Sequence, residues 1–249
     1  MASADFTSLS PEDGTALKGA EKLRFVTQLF DTIAKSYDAL NWFISLGQTT
    51  LWRYMALRHL DARLVPGSTI LDVGCGTGWV SQYLHRKHRS LHLEIEGLDC
   101  SEGMLDIARR ADPRSTYRCG DVCHMGFYKD DSFDCVLTVY TLRNFPDIGS
   151  ALKEMVRVLR PGGTLLILDA FPPSSSLMRL LLRLWLGHVV PLVTRLISSD
   201  KAYQYLSHSI QNTVPAGQIS AQLNALGCEL PAVHLYSFGS AGCVLTRKL

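Results

Sequence analysis

A glycine-rich loop is the first part of the chain whose residue types suggest chemistry. Residues 70–80 read ILDVGCGTGWV, an apolar run followed by Gly74, Gly76 and Gly78. Glycines allow a sharp turn and a close approach to a ligand, because no Cβ stands in the way. The third glycine comes too early for the G-x-G-x-x-G fingerprint of dinucleotides, and no Lys-Ser or Lys-Thr follows as in a P-loop. The loop therefore predicts a nucleotide-like ligand outside those two classes.

Acidic residues at three successive strand ends narrow the choice of ligand. Asp72 adjoins the loop, where a pyrophosphate would be repelled but an amino group and a sulfonium would be favoured. Asp99 ends the apolar run LEIEGL, a position from which a carboxylate can accept hydrogen bonds from both ribose hydroxyls, and Asp121 is placed to meet the adenine edge. This set predicts S-adenosylmethionine as the cofactor, although Asp99 and Asp121 could instead cap the helices that follow them. The predicted cofactor-binding residues are Asp72, Gly74, Gly76, Thr77, Gly78, Asp99, Met104, Asp121 and Val122.

Alternating strand and helix patterns must position these residues. Apolar positions at intervals of four, from Phe25 to Tyr37, predict helices within residues 21–59. Beyond them, runs such as TILDV, DCVLTV and TLLIL alternate with helical segments, which predicts right-handed crossovers and a mainly parallel sheet with helices on both faces. Near the end, AVHLYSF and GCVLTR are joined by a short turn and predict a hairpin. The fold class is therefore α/β.

We expect one domain over residues 1–249. Residues 1–60 are predicted to form a tail and a helical cap, and residues 61–170 the cofactor-binding core. Residues 171–249 are predicted to form an apolar lid, the last helix and the hairpin. Because ligands bind outside the carboxyl ends of strands in open α/β sheets, cap and lid should enclose the ligand.

The segment at residues 174–197 is unusually apolar. Its longest stretch without Lys, Arg, Asp or Glu, residues 184–194, is far shorter than the ~20 residues that cross a bilayer. Arg179 and Arg183 lie one helical turn apart beside Trp185, so a helix at a membrane interface is one interpretation. A helix that packs on the core or over the ligand pocket is the other. Both interpretations of the helix stay open. Peripheral contact between residues 174–197 and a membrane therefore also stays open.

Charge and cysteine content bear on partners and compartment. The net charge of +2, without a long basic block, argues against a nucleic-acid partner. Seven irregularly spaced cysteines indicate reduced thiols inside a cell. Cys119, Cys123 and His124 lack the second half of a zinc site, so no metal is predicted. Without a secretory signal or transit peptide in this sequence, we expect an intracellular protein in the cytoplasm or on the mitochondrial matrix side, with a membrane-peripheral position left open.

The ordered set of glycine loop and acids resembles the class I S-adenosylmethionine-dependent methyltransferases over about residues 65–170. The resemblance implies a Rossmann-like sheet of seven mostly parallel strands whose last strand is antiparallel, in keeping with the terminal hairpin. It also implies an enzyme that transfers a methyl group.

Further stretches resemble one branch of that class, the UbiE/MenG-type C-methyltransferases of quinone biosynthesis. Residues 30–52 are similar to the branch's signature, residues 142–144 read Leu-Arg-Asn as in the branch, and residues 155–169 and 202–210 are also similar. The similarity extends over most of residues 25–230. The matching signature residues are Tyr37, Asp38, Asn41, Ser45 and Trp52.

The chain departs from the branch's pattern at several positions, which identifies it as a divergent member. The loop GCGTGW at residues 74–79 stands where the branch usually has AGGTGD, so a tryptophan replaces the final acid. Thr49 stands in place of a His, and Val139 in place of a Ser near the cofactor. Asp169 and Phe171 replace a Glu and a Ser.

The branch resemblance implies a substrate class. Its members methylate a ring carbon of a prenylated benzoquinol or naphthoquinol in ubiquinone or menaquinone biosynthesis, so we expect a small quinol as the partner, with a homodimer left open. Two alternatives stay open. One is a methyltransferase for another phenolic or natural-product molecule, and the other is a non-catalytic cofactor-binding subunit of a quinone-biosynthesis assembly.

The predicted catalytic residues follow from the chemistry of the ring carbon, which is a weak nucleophile unless a neighbouring hydroxyl is deprotonated. Arg143 stays protonated, and its planar fork is suited to stabilising the phenolate or holding a water that relays the proton. Asn144 would orient the ring oxygen, and Tyr37 and Asn41 would close the other side. The alternative for Arg143 is an ion pair that anchors its turn, but we expect it at the pocket mouth. Further candidates are Tyr140 and His188.

Overall fold

A computed structural model describes residues 11–173, 175–189, 205, 208–210 and 213–249. Within these residues, seven strands form one sheet. The strands are β1 (Thr69–Val73), β2 (Glu94–Asp99), β3 (Thr116–Cys119), β4 (Phe133–Val139), β5 (Leu159–Ala170), β6 (Ala232–Tyr236) and β7 (Ala241–Arg247). Their order across the sheet is β3-β2-β1-β4-β5-β7-β6.

Strand direction confirms the predicted fold class. Strands β1 to β5 pair in parallel, and β7 runs antiparallel to both β5 and β6. The predicted terminal hairpin is the β6–β7 pair, in which His234 lies opposite Cys243. The subdivision of the domain at residues 60 and 170 stays a prediction.

The central strands are buried on both faces, which is why they read as continuous apolar runs. In β1 every residue from Ile70 to Val73 is buried, and β4 is buried from Cys135 to Val139. A charged residue in such a strand is exceptional. Asp72, only 1% exposed next to the carboxyl end of β1, is such a residue.

Helices cover both faces of the sheet. They are α1 (Pro11–Ala16), α2 (Gly19–Ile33), α3 (Tyr37–Ile44), α4 (Gln48–Leu57), α5 (Trp79–Lys87), α6 (Glu102–Ala111), α7 (Ile148–Val158), α8 (Ser176–Leu184) and α9 (Ala216–Ala225). Leu152 of α7 and Leu223 of α9 belong to the apolar core on one face. Leu57 of α4 and Leu84 of α5 belong to the core on the other face.

The predicted helical cap rests on α6, the helix that follows β2. Phe25 and Phe30 of α2 pack with Met104 of α6 in a third apolar cluster. Polar contacts fix the same junction, because Asp31 accepts hydrogen bonds from Ser101 Oγ at 2.6 Å and from the backbone N–H of Gly103 at 3.0 Å. The cap is thereby held over the carboxyl ends of the strands.

The predicted lid lies partly outside the described residues. Of the apolar segment at residues 174–197, the structure describes residues 175–189, and residues 174 and 190–197 lie outside the described part. Helix α8 is followed by a π-helical turn, Trp185–Val189. Four leucines of α8 are about half exposed or more: Leu177, Leu180, Leu181 and Leu184. Among the helices that the structure describes, none combines the length and the apolar character needed to cross a membrane.

Candidate functional site

A cleft of about 850 Å³ opens at the carboxyl ends of the central strands. This volume includes space that is open to solvent. The glycine loop after β1, residues 120–122 after β3 and the turn after β4 line one side, and residues of α2, α3 and α4 line the other. The cleft therefore lies between the edge of the sheet and the cap.

The glycine loop presents backbone to this cleft. Gly74, Gly76 and Gly78 have φ angles of 71°, 53° and 75°, which disfavour residues with side chains. A Cβ at Gly74 would lie 2.5 Å from Thr141 Oγ1, so the loop packs too closely on the turn after β4 for any side chain there. A Cβ at Gly76 would meet nothing within 4 Å, since that residue lines the cleft. A ligand can therefore approach the loop's main chain.

Asp99 lines the cleft at the end of β2 and is oriented by backbone donors. Its Oδ2 accepts the Gly76 N–H at 2.8 Å, and its Oδ1 accepts the Ser101 N–H at 3.0 Å. Burial raises the pKa of this carboxyl despite these hydrogen bonds. Ser101, not Asp99, caps α6, because Ser101 Oγ accepts the Met104 N–H at 3.1 Å. The carboxylate thus has a fixed orientation suited to accepting ribose hydroxyls.

Asp121 and two apolar residues line the part of the cleft beyond Asp99. Asp121 Oδ1 accepts the Cys123 N–H at 2.9 Å, and Oδ2 lies 2.8 Å from His124 Nδ1, so the side chain also shapes its own loop. Met104 and Val122 are buried and provide apolar walls. Apolar walls of this kind suit the faces of an adenine, and the contact of Asp121 with the polar edge of that ring stays a prediction.

Asp72 is the most unusual group in the cleft. It is 1% exposed, and neither carboxylate oxygen has a hydrogen-bond partner in the part of the chain that the structure describes. Burial raises its pKa from 3.8 to about 7, the nearby Asp99 charge adds to the shift, and Arg53 opposes it. A buried carboxylate without a partner is unfavourable, so this group fits a ligand that brings a positive charge, such as the ammonium of S-adenosylmethionine.

The cap helix α3 is tied directly to the glycine loop. Thr77 Oγ1 donates a hydrogen bond to Asp38 Oδ2 at 2.6 Å. Tyr37, 7% exposed, lines the cleft, and burial raises the pKa of its hydroxyl while Arg143 and Arg53 lower it. Asn41 hydrogen-bonds Tyr37 and is outside the set of described residues that line the cleft.

Arg143 lies in a different place from the expected pocket mouth. It sits in the 3₁₀ turn Leu142–Asn144, with a side chain only 7% exposed, and its guanidinium forms an ion pair with the fully buried Asp169. Its Nε donates to Ser209 Oγ at 3.2 Å, and it lines a small second cavity beside the cleft. The physical reason is Asp169, since a buried carboxylate requires a cation. The anchoring ion pair is thus observed, and a catalytic role for Arg143 stays a prediction.

Asn144, the next residue in the turn, lines the cleft. It is 4% exposed, and its Oδ1 accepts the Tyr205 hydroxyl at 3.3 Å. Its Nδ2 has no hydrogen-bond partner among the described residues. The amide therefore offers a buried N–H donor to an oxygen of a bound molecule.

Arg53 is a cleft residue that sequence reasoning missed. It lies on α4, is 8% exposed and lines the cleft opposite the strands. Its guanidinium carbon lies 4.9 Å from the centre of the Trp79 ring and 5.4 Å from that of Tyr140. The sequence offered one signal for Arg53: it directly follows Trp52, the last residue of the stretch at residues 30–52 that is similar to the branch's signature.

The two further candidates do not bring their polar groups to this cleft. The Tyr140 hydroxyl donates to the Thr49 carbonyl at 3.0 Å, and burial raises its pKa. His188 is exposed, with Nδ1 3.3 Å from the Leu184 carbonyl oxygen. Within the described residues, no group of three or more His, Cys, Asp and Glu side chains has the arrangement of a metal site.

Comparison with known proteins gives a consistent assignment. The model of the ubiE/COQ5 methyltransferase family matches residues 16–246. A demethylmenaquinone methyltransferase of Thermotoga maritima is 36% identical over 230 residues, which cover 90% of this chain and 96% of that protein. The ubiquinone/menaquinone biosynthesis C-methyltransferase UbiE of Geotalea daltonii is 32% identical over 233 residues, with coverage of 90% and 96%.

Solved structures share the fold at lower identity. One is a methyltransferase from Thermotoga maritima that is described as a possible histamine N-methyltransferase. It matches with a TM-score of 0.61 at 20% identity, and the match covers 90% of this chain and 100% of that protein's chain. Haemonchus contortus phosphoethanolamine N-methyltransferase 2, solved with S-adenosylhomocysteine, has a TM-score of 0.57 at 17% identity, with coverage of 79% and 52%. The predicted methyltransferase fold is therefore confirmed.

We predict that Gly74→Ala damages both stability and ligand binding. The new Cβ would meet Thr141 and also hold an alanine at positive φ, which together cost about 2–4 kcal/mol. Gly67→Ala is the matched control, because Gly67 has a φ of 77° with nothing within 4 Å and isolates the torsional strain. Thermal unfolding and calorimetric titration with S-adenosylhomocysteine measure both effects. If Gly74→Ala were as stable as Gly67→Ala, and if both variants bound S-adenosylhomocysteine as tightly as the wild type, the close packing at Gly74 would be contradicted.

Asp72 should make the stability of the unliganded protein depend on pH with a defined sign. Because the folded pKa is raised from 3.8 to about 7, the fold loses stability as the pH rises between those values and changes little above them. We therefore expect unliganded Asp72→Asn to melt at a higher temperature than the wild type at pH 8, with the difference shrinking towards pH 5. Asp106→Asn, which changes an exposed carboxylate, serves as control.

The same Asp72→Asn variant should bind S-adenosylhomocysteine more weakly. In the wild type, we expect affinity to fall by up to about tenfold per pH unit below 7, because only the ionised carboxylate pairs with an ammonium. The variant should lack this pH dependence. A melting difference that is constant with pH, together with unchanged affinity, would show that Asp72 does not face the ligand.

Proposed function

The chain belongs to the ubiE/COQ5 methyltransferase family, and we propose that it methylates a ring carbon of a prenylated benzoquinol or naphthoquinol in ubiquinone or menaquinone biosynthesis. It is an S-adenosylmethionine-dependent methyltransferase. The observation that carries the proposal is the presence, in one cleft, of a buried carboxylate and a buried amide donor that both lack partners among the described residues, Asp72 and Asn144.

The cofactor half of the cleft would be formed by the predicted residues. Asp72 would pair with the ammonium group and Asp99 would accept the ribose hydroxyls, while Met104 and Val122 would flank the adenine beside Asp121. S-adenosylmethionine supplies the electrophilic methyl group when bound. The chain's contribution is to orient that group and to exclude water, which a cleft walled by the cap is suited to do.

The acceptor half of the cleft has the properties that a quinol ring requires. Leu23, Val26 and Phe30 of α2 and Phe145 of the turn after β4 give it apolar walls. We propose that the Asn144 Nδ2–H donates a hydrogen bond to the ring oxygen next to the reacting carbon. That donor would stabilise the negative charge of the phenolate, which makes the ring carbon nucleophilic. Tyr37 would contact the ring from the side of the cap. Asn41 would fix the orientation of the Tyr37 hydroxyl through the hydrogen bond between the two side chains.

Arg143 would act in this site mainly through its neighbour. Its guanidinium is engaged by Asp169 and Ser209, and its carbonyl oxygen accepts Lys22 Nζ at 3.1 Å. These contacts hold the turn that presents Asn144, so we propose a positioning role. The direct contact with a phenolate that the sequence suggested would have to be made by the part of the guanidinium that Asp169 and Ser209 do not engage.

The exposed leucines of α8 support a further part of the proposal, peripheral contact with a membrane. Arg179 and Arg183 lie on the same helix and suit an anionic lipid surface. No described residue of α8 lines the cleft, so an exit of a prenyl tail along this helix stays a prediction. We place the enzyme inside the cell, in the cytoplasm or on the mitochondrial matrix side, which its seven free cysteines support. A homodimer stays a prediction.

The reaction itself is tested with methyl-labelled S-adenosylmethionine and two short-tailed acceptors, a demethylnaphthoquinol and the corresponding benzoquinol. Label on a ring carbon supports the proposal, and the preferred acceptor identifies the quinone class. Label on oxygen would favour the alternative of a different phenol methyltransferase. Intact S-adenosylhomocysteine binding without transfer to either acceptor would favour the non-catalytic subunit.

We predict that Asn144→Ala lowers kcat about 10²–10³-fold, the usual effect of removing one donor to a developing oxyanion. Its affinity for S-adenosylhomocysteine should change little, because we assign the amide to the acceptor half of the cleft. Asn224→Ala, at an exposed position on α9, is the matched control and should retain full activity. An unchanged kcat, or a loss explained entirely by weaker cofactor binding, would remove Asn144 from the acceptor half.

We predict that the double change Leu180→Gln and Leu184→Gln reduces co-sedimentation with vesicles that contain anionic lipid. The control changes Leu230 and Leu235 to Gln, two exposed leucines outside α8. Activity on a tail-free acceptor should be the same in both double variants and the wild type. Equal vesicle binding by all three proteins would contradict membrane contact through α8.

A further inference from the structure

The cleft contains two buried charges of opposite sign that are not paired with each other. Asp72 and Arg53 are 1% and 8% exposed, and both line the cleft. Among the described residues, Arg53 has no ion pair with a carboxylate, and its Nε, like both oxygens of Asp72, has no hydrogen-bond partner. Buried charges are normally paired, so this arrangement points to a ligand that supplies both missing partners.

The surroundings of Arg53 hold it in place without neutralising it. Trp79 and Tyr140 lie against the guanidinium at 4.9 and 5.4 Å, the distances of cation–π contacts. These rings fix the plane of the guanidinium but offer it no hydrogen-bond acceptor. Trp79 stands directly after Gly78, at the start of α5, so the guanidinium lies beside the glycine loop. An anionic group of a ligand at this loop would meet it.

We propose that Arg53 binds the α-carboxylate of the cofactor's amino-acid end, while Asp72 binds the adjacent ammonium. This inference rests on the cofactor part of the proposed function and is independent of the acceptor. A zwitterionic α-amino acid carries the two complementary charges close together, so one ligand end satisfies both buried groups. A phenolate at Arg53 would leave Asp72 without a partner, which is why the observations favour the amino-acid end. Arg53 is therefore a specificity determinant that distinguishes the intact cofactor from adenosine thioethers lacking the carboxylate.

Three ligands separate the two charges in a calorimetric titration at pH 8. S-adenosylhomocysteine carries both the ammonium and the carboxylate, 5′-deoxy-5′-(3-aminopropylthio)adenosine carries only the ammonium, and 5′-methylthioadenosine carries neither. The proteins are the wild type, Arg53→Met and Arg58→Met. Arg58 is the matched control, because it lies at the end of the same helix and is exposed.

We expect Arg53→Met to bind S-adenosylhomocysteine about 10–100-fold more weakly, the effect of losing a charged hydrogen-bonded partner. Its affinity for the two ligands without a carboxylate should fall far less, because neither ligand has a group that the guanidinium would bind. Arg58→Met should match the wild type with all three ligands. Asp72→Asn should show the complementary pattern, with a loss for both amine-bearing ligands and little change for 5′-methylthioadenosine.

Two results would overturn the inference. An equal loss for all three ligands would show that Arg53 only supports the packing of Trp79 and Tyr140, and an unchanged affinity for S-adenosylhomocysteine would show that the carboxylate binds elsewhere. If Arg53→Met fails to unfold cooperatively, Arg53→Lys is used, because it keeps the charge between the rings but loses the planar fork. A drop in the affinity ratio of S-adenosylhomocysteine to the aminopropyl ligand then supports the inference, and an unchanged ratio overturns it.

Discussion

A buried carboxylate without a partner, Asp72, is the constraint on which the site depends. Its pKa shift from 3.8 to about 7 corresponds to roughly 4 kcal/mol of unfavourable free energy when the group is ionised. A natural fold seldom retains such a cost near the end of a buried parallel strand unless a ligand removes it. The glycine loop next to it, with positive φ at Gly74, Gly76 and Gly78, keeps side chains away and leaves room for that ligand.

The cap converts this open sheet edge into a cleft, and it does so through contacts with the same loops that would hold the ligand. Asp38 accepts a hydrogen bond from Thr77 of the glycine loop, and Asp31 accepts two from the start of α6 beyond Asp99. Because these loops are shared, movement of the cap and occupation of the cleft cannot be independent. The cap also brings Arg53 to the cleft, and so contributes a positive charge that has no ion pair among the described residues.

The sequence was informative where local patterns decide the structure. Apolar runs and breakers located the strands, and the acids at three strand ends came together because parallel strands end at one edge. The sequence left an ion pair of Arg143 open as an alternative but did not identify Asp169 as its partner, because the pair joins the ends of two strands that are adjacent only in the folded sheet. Arg53 was missed for a related reason. The sequence pattern of α4 predicts a helix, but it does not reveal that the face of α4 that carries Arg53 lies against the cleft.

The turn after β4 shows how a buried ion pair can serve a neighbouring group. Arg143 and Asn144 are consecutive, yet the first lines a small second cavity and the second lines the cleft. Asp169 and Ser209 hold the guanidinium of Arg143, and Lys22 holds its carbonyl oxygen, so the backbone leading to Asn144 is fixed from three sides. A donor that must meet a developing negative charge is most effective when no reorganisation is needed. A buried ion pair adds little to stability by itself, so its main effect here would be to keep the Asn144 amide rigid at the wall of the cleft.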